Sequence, residues 1–527
     1  MSRKVDSYNK CKCGKVNCKK DCKKVPCNDD CVKIKSLPYT IDKSGKYCLC
    51  KDLIYHGVNV GISIEVDGVS VDGNFHKISL ANAGSGSATT WNPVVGIKVN
   101  GPTSGNGRFK NITIKNVIVE SLINVPNPAP LPPSPSGQSF SVAVLLNGAS
   151  SVNIKNCVFY RTTHGIETQN VNGLLVEDSD FVDNYGVLVT RELGGAAIFL
   201  QEDSQNLKIE RCNFSGQATE NGSLVAFGFN THRVTTNIRN ISVLNSNFNN
   251  TDGALFFSQC TNLLIEGCNI FCERQLYFQV QMGSFTVEQR VDNLIFRNTN
   301  IWARSNIGTQ LFSLLLGDGA LIQNVNLNYN SSVYIHATVI GVGAGGLGKF
   351  TNAVFDNITI QGPNHYGIQI NNADGTTVKN SHIADSSNAI QVGNGPEAEW
   401  PPPVRSSNIT IINNEITGPN VDPLPGGSVG IELFESTSAV VKDNRIRSFC
   451  TAILLDPLAD GNVIEGNTIT NNGNGPESIV GNTVNNLVTR FNVDPNPNLF
   501  YNNTRVCAVS DLIKTHDKTS DKKGFIR

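Results

Sequence analysis

The chain has 527 residues, 39% hydrophobic and 17% charged, a balance that excludes a disordered polymer and allows a packed core. Asn occurs 65 times and Gly 48 times against 2 Met, which suits short β-branched strands joined by many tight turns. The net charge of −1 conceals an asymmetry: residues 1–51 carry 14 Lys and Arg against 5 Asp and Glu, and the rest carries 29 against 39.

In chain order, residues 1–36 read as a Cys/Lys-rich leader. The opening MSRKVDSYNKCKCGK is basic, but no apolar h-region follows, so no secretory signal peptide is read there. No apolar run is long enough to span a membrane. An externally acting product would then be delivered by assembly into a virion or spore coat, or by lysis. Cys11, Cys13, Cys18, Cys22, Cys27 and Cys31 sit among lysines with almost no apolar residue, so they do not belong to a core. Their spacing matches no standard zinc signature, and disulfides, intermolecular crosslinks and thiolate–zinc ligation all stay open. The leader's charge opposes that of the body, as in a solvated tail or an anchor to an anionic surface.

Beyond the leader one phrase recurs: an Asn-led apolar strand, a turn residue, and a shorter strand. It first reads NITIKNVIV (111–119) and VNIKNCVF (152–159), and it ends as SAVVKDNRI (438–446) and GNVIEGNTI (461–469). Aligned on the turn residue, from Asn116, Asn156 and Asp178 through to Asp443 and Gly466, the position two before it is apolar in 13 of 13 copies. The position three after it is apolar in 13 of 13 as well. The anchors are 22 to 40 residues apart, with 22 and 23 recurring, as a three-faced coil of about 22 residues with loop insertions requires. A second phrase falls between copies, for example HGIET (164–168), YGIQI (366–370) and VGIEL (429–433), and supplies another strand per coil. With strands stacked ~4.8 Å apart, about fourteen coils make a rod of roughly 65 Å.

GVSVDGNFHKI (68–78), preceded by LPYTIDKSGKYCLCKDL (37–53), is similar to the opening coil and lead-in of right-handed parallel β-helix repeat proteins of the pectin-lyase-like superfamily. The resemblance covers about residues 37–505 and implies an all-β, right-handed parallel β-helix solenoid; residues 506–527 read as a polar tail. It is specific for fold and not for function, because the superfamily includes lyases, hydrolases, epimerases, phage tailspikes and proteins with no known activity. Motifs resembling those of polygalacturonases, pectate lyases and alginate epimerases are not found: THG at 163–165 lacks the first Gly of Gly-His-Gly. No residue roles are therefore carried over.

The residues leave four features to place. Cys157, Cys212 and Cys268 share one repeat column with Ser179, Ser246 and Thr299, and the parity of that column points it inward as a ladder of small buried side chains. One charged neighbourhood stands out: Arg161, His164 and Glu167 on one coil, Asp180 and Asp183 on the next, then Arg191, Glu192, Glu202 and Asp203. These are either an acid–base site or the ordinary charged turns of a polar solenoid. Insertions at 82–94, 121–139, 182–195 and 418–428 should leave the rod on one side, and 395–407 from another corner. Trp91 and Trp400 in these loops either stack on sugars or pack locally. Asn-x-Ser/Thr at Asn111, Asn240, Asn357 and Asn408 reads as turn and ladder Asn rather than glycan acceptors.

Two functions follow as expectations. The first is a non-enzymatic surface or particle-associated protein, with polysaccharide or glycan and particle or coat components as partners, attached through its leader. The second is a polysaccharide lyase or glycoside hydrolase with a divergent carboxylate/His site. No cofactor is expected, no nucleic-acid motif is present, and oligomeric state stays open.

Overall fold

The computed structural model describes residues 30–493 apart from a number of inter-strand segments, the longest being 123–140, 279–289, 394–404, 420–427 and 471–478. The described residues contain strands and turns and no helix. The strands form three long parallel sheets, here A, B and C, that wind as one solenoid. The coil at His164 shows the plan. Its sheet A run begins at His164, and the chain bends at Asn170 (φ 54°). It continues in sheet B to Glu177, turns at Asp178 (φ 52°), and forms the sheet C strand Asp180–Val182. It leaves at Asp183 (φ 51°) for an insertion and re-enters sheet A at Gly195. Each strand stacks in parallel on the next coil, pairing Ile166 with Ile198, Val176 with Ile209 and Phe181 with Phe214.

The two invariant apolar columns are the core. In sheet B one column passes from Ile154 through Val176, Ile209, Val243 and Ile265 to Phe296, in unbroken register and buried. Ile114 and Ile411 belong to the same column, as expected. In sheet C the column holds a stack of phenylalanines: the Phe181 and Phe214 rings are 4.8 Å apart and Phe214 and Phe248 are 4.4 Å apart, nearly parallel. Offset stacking adds to the burial of each ring.

The anchor column explains the abundance of Asn. All 13 anchors, Asn116 to Gly466, have a positive φ between 49° and 70°. Asn, Asp and Gly tolerate that left-handed conformation best; Arg211 (φ 54°) is the exception and is held by Glu177 and Asp178. The amides also bond along the rod: Asn324 donates to Asn298 at 2.9 Å, Asn357 to Asn324 at 2.8 Å and Asn413 to Asn380 at 2.7 Å. Asn240, Asn357 and Asn408 donate in such ladders and Asn111 has φ 58°, in keeping with their reading as turn residues. Replacing Asn413 by Val is expected to cost ~2–3 kcal/mol, from left-handed strain plus the lost ladder bond. Asn413→Gly should cost less, and thermal unfolding of the two variants checks the order.

The small residue of the second phrase has a steric cause. A Cβ on Gly165, Gly367 or Gly430 would stand 2.6 Å from the carbonyl oxygen of Ala197, Ala389 or Ala452 on the next coil. The Cys column points inward as expected: Cys157, Cys212 and Cys268 are buried. The amide of Cys157 donates to Ser179 Oγ at 3.1 Å and that of Cys212 to Ser246 Oγ at 3.1 Å. Burial pushes the thiols of Cys157 and Cys212 up to about 12 and that of Cys268 up to about 11. Since the thiolate is the reactive form, these three should stay unmodified by iodoacetamide at pH 8 until the protein is unfolded. Fast labelling of the native protein would contradict their placement.

The ladder begins earlier than residue 37. Val32–Ile34 pairs in parallel with Gly45–Leu49, Ile34 is buried, and Cys31 is disulfide-bonded to Cys48. A three-residue strand with a lysine at its centre and another after it is too short to show an alternation, so the sequence hides it among the leader. Cys11, Cys13, Cys18, Cys22 and Cys27, the boundary at 505 and the tail 506–527 lie outside the described residues.

Candidate functional site

The five residues of the charged neighbourhood fall into three places. His164 and Glu167 meet in sheet A: His164 Nδ1 lies 2.8 Å from Glu167 Oε2, and both residues are buried. Gln201 Nε2 donates to the other carboxylate oxygen at 2.8 Å, and the imidazole stacks on Phe199 with centroids 4.5 Å apart. Arg161 and Asp183 occupy the corner between sheets C and A on successive coils, where the Arg161 amide donates to Val182 O. The guanidinium of Arg161 lies over the Tyr160 ring, and burial raises the Asp183 carboxyl while Arg161 pulls it back. Asp180 lies elsewhere, on sheet C, accepting from Asn213 Nδ2 at 2.7 Å. The residues are close in sequence, but the coil turns between sheets and sends them to different faces. Arg191, Glu192 and Glu202 lie outside the described residues.

The insertions at 82–94, 121–139, 182–195 and 418–428 each join a sheet C strand to the next sheet A strand, so they leave from one corner as expected. The segment 395–407 runs from sheet A toward sheet B instead. Trp91 belongs to a short antiparallel hairpin, Ser85–Ser87 with Thr90–Asn92, and Trp400 lies outside the described residues.

A second group was not singled out from the sequence. Glu432 occupies the outward column of sheet A, in register with Gln391 and, one coil earlier, Gln369. Amides run toward it: Gln369 Nε2 donates to Gln391 Oε1 at 2.8 Å, and Gln391 Nε2 and Asn388 Nδ2 both donate to Glu432 Oε2 at 3.1 Å. Glu432 is only 4% exposed although it points away from the core. Burial pushes its carboxyl up to about 7 against the two amide donors, and the neighbouring Asp456 carboxylate raises it further. Burial and Asp456 also raise Glu435, which Arg405 opposes. A carboxyl near neutrality can give or take a proton at physiological pH. The signal was present in the sequence as the fourth residue of VGIEL, which alternation places outward.

Among the described residues no group of three or more His, Cys, Asp and Glu is arranged to hold a metal ion. Nor is any helix long and apolar enough to cross a membrane.

The family described as "Right handed beta helix region" matches residues 342–504. The described strands wind as a parallel β-helix, in agreement with that family match. Solved structures similar to it include PfbA, a surface adhesin of Streptococcus pneumoniae, at 16% identity over 82% of this chain and 84% of that chain, with a TM-score of 0.38. A tailspike protein double mutant of E. coli bacteriophage HK620 in complex with pentasaccharide is 12% identical over 85% and 72%, with a TM-score of 0.48. The A-module of the Azotobacter vinelandii mannuronan C-5 epimerase AlgE6 is 10% identical over 86% and 91%, with a TM-score of 0.31. No curated protein sequence matches the chain.

Proposed function

We propose that this chain is a non-enzymatic rod of a particle or cell surface that binds polysaccharide along its side and is attached through the basic, cysteine-rich residues ahead of Asp30. The observation that carries the reading is the division of the polar residues. The acid–base candidates named by sequence are spread over a buried pair, a corner pair and a separate sheet. An outward row of sheet C is instead a long ladder of hydrogen-bonded amides, a rigid surface suited to recognition. Fractionation of the producing material tests this reading. The protein should sediment with particles or envelopes in non-reducing buffer and be released by dithiothreitol or high salt. A protein found wholly in the soluble fraction overturns it.

One observation favours a second reading, polysaccharide cleavage. Glu432 combines a carboxyl at about 7 with the neighbouring Asp456 carboxylate, which also raises Glu435. Release of oligosaccharides from a polysaccharide by the wild type, lost in Glu432→Gln and retained in His164→Ala, would establish it there. The reverse pattern would move the chemistry to the His164–Glu167 pair.

A further inference from the structure

We propose that sheet C carries a binding face for a neutral polysaccharide, centred on Trp302; this rests on the glycan-binding reading and gives it a site and a sugar class. Trp302 is 41% exposed although it lies within a strand, Val291–Ala303, rather than in a loop. It stands in register with Phe271 on one side and Asn328 on the other. Two residues earlier on the same three strands run Asn269, Asn300 and Asn326, also in register. Asn300 donates to Asn269 at 3.2 Å and Asn326 to Asn300 at 2.8 Å. The outcome is a flat grid of three rungs by two rows, one row amide and the other largely aromatic.

Its chemistry selects the occupant. An exposed indole offers an apolar face to the C–H side of a pyranose and an N–H at its edge. Each ladder amide uses one N–H and one lone pair along the row, which leaves a second donor and a second lone pair for sugar hydroxyls. The grid is held by backbone pairing on both sides, so the ordering cost falls on the ligand. Charge decides the sugar class. From Asn213 to Thr359 in one row and from Ser215 to Gln361 in the other, no outward residue is charged over six coils. Sheet B is different, with Lys155–Glu177, Arg297–Glu266 and Lys379–Asp356 ion pairs along its outward side. With no basic residue among the described residues of these two rows to meet a uronate, the face suits uncharged hexose or N-acetylhexosamine chains.

The test is titration of the full-length protein with cellohexaose, chitohexaose, mannohexaose and maltohexaose, with hexagalacturonate as the charged comparison, read by tryptophan fluorescence and calorimetry. At least one neutral hexasaccharide should bind. Trp302→Ala should weaken it by roughly tenfold or more, as loss of a central aromatic anchor does, and leave the melting temperature unchanged. Trp302→Phe should retain most of the affinity. Unaltered binding by Trp302→Ala, or binding of hexagalacturonate alone, overturns this face and leaves the glycan-binding reading standing. No binding of any sugar overturns both. If Trp302→Ala instead dissociates an oligomer, the occupant is a second copy of the chain and the proposal fails.

Discussion

Ile265→Asp is expected to remove cooperative folding of the central coils. Ile265 is fully buried between Val243 and Phe296 on adjacent coils. A carboxylate there has no partner, and its desolvation costs at least ~4–5 kcal/mol on top of the lost packing. Each coil rests on its neighbours, so damage at one rung propagates to the coils stacked on it. Ile265→Val, which removes one methyl group, should cost about 1 kcal/mol. Leu264→Lys, one residue earlier and on the outward side, should stay within ~1 kcal/mol because the aliphatic stem keeps its packing. Circular dichroism melts of the three variants check the order. Equal effects at 264 and 265 would mean that the inward and outward sides have been reversed.

Glu432→Gln is expected to stabilise the protein at pH 8 and to change nothing at pH 4. The folded-state carboxyl is raised from 4.5 to about 7, so the folded protein holds this proton more tightly than the unfolded chain. Stability from this group is therefore fully present below the unfolded value, falls as pH rises between the two, and is flat above about 7. The loss amounts to about 3 kcal/mol by pH 8. A Gln mimics the protonated acid, since its carbonyl can accept from Asn388 and Gln391 as Glu432 Oε2 does. The difference in melting temperature between variant and wild type should thus grow from pH 4 to pH 8 and then level off. A difference independent of pH would contradict the buried, raised carboxyl.

The architecture was legible because stacking imposes a column on every coil. The apolar positions at two before and three after the anchor are the sheet B and sheet C core, and the anchor itself is a left-handed turn that favours Asn. What escaped has physical reasons. Val32–Ile34 is a strand by virtue of its pairing and the Cys31–Cys48 disulfide, and three residues carry no period. Glu432 reads as an ordinary outward residue, because local alternation gives its direction but not its burial, which depends on segments distant in sequence. Trp302 directly follows the repeat phrase NLIFRNTNI (293–301) and reads as part of a strand, whereas Trp91 and Trp400 stand out because they fall in insertions. Asp180 is near His164 in sequence, but the coil passes through sheet B between them and carries Asp180 to sheet C. His164 and Glu167 were legible as members of one coil, but their contact was not, because simple strand alternation sends residues three apart to opposite faces.

Attachment and recognition are proposed to belong to separate parts of the chain. The segment ahead of Asp30 holds five of the six leader cysteines, while the solenoid's first strand and the Cys31–Cys48 bond begin after it. Sedimentation with particles or envelopes, compared between the full-length chain and a chain starting at Asp30, tests this most directly. The account predicts that the shortened chain keeps its melting temperature and its affinity for sugar but stays in the supernatant. A shortened chain that still sediments would contradict attachment through the leader, and one that no longer folds would make those residues a cap of the solenoid instead.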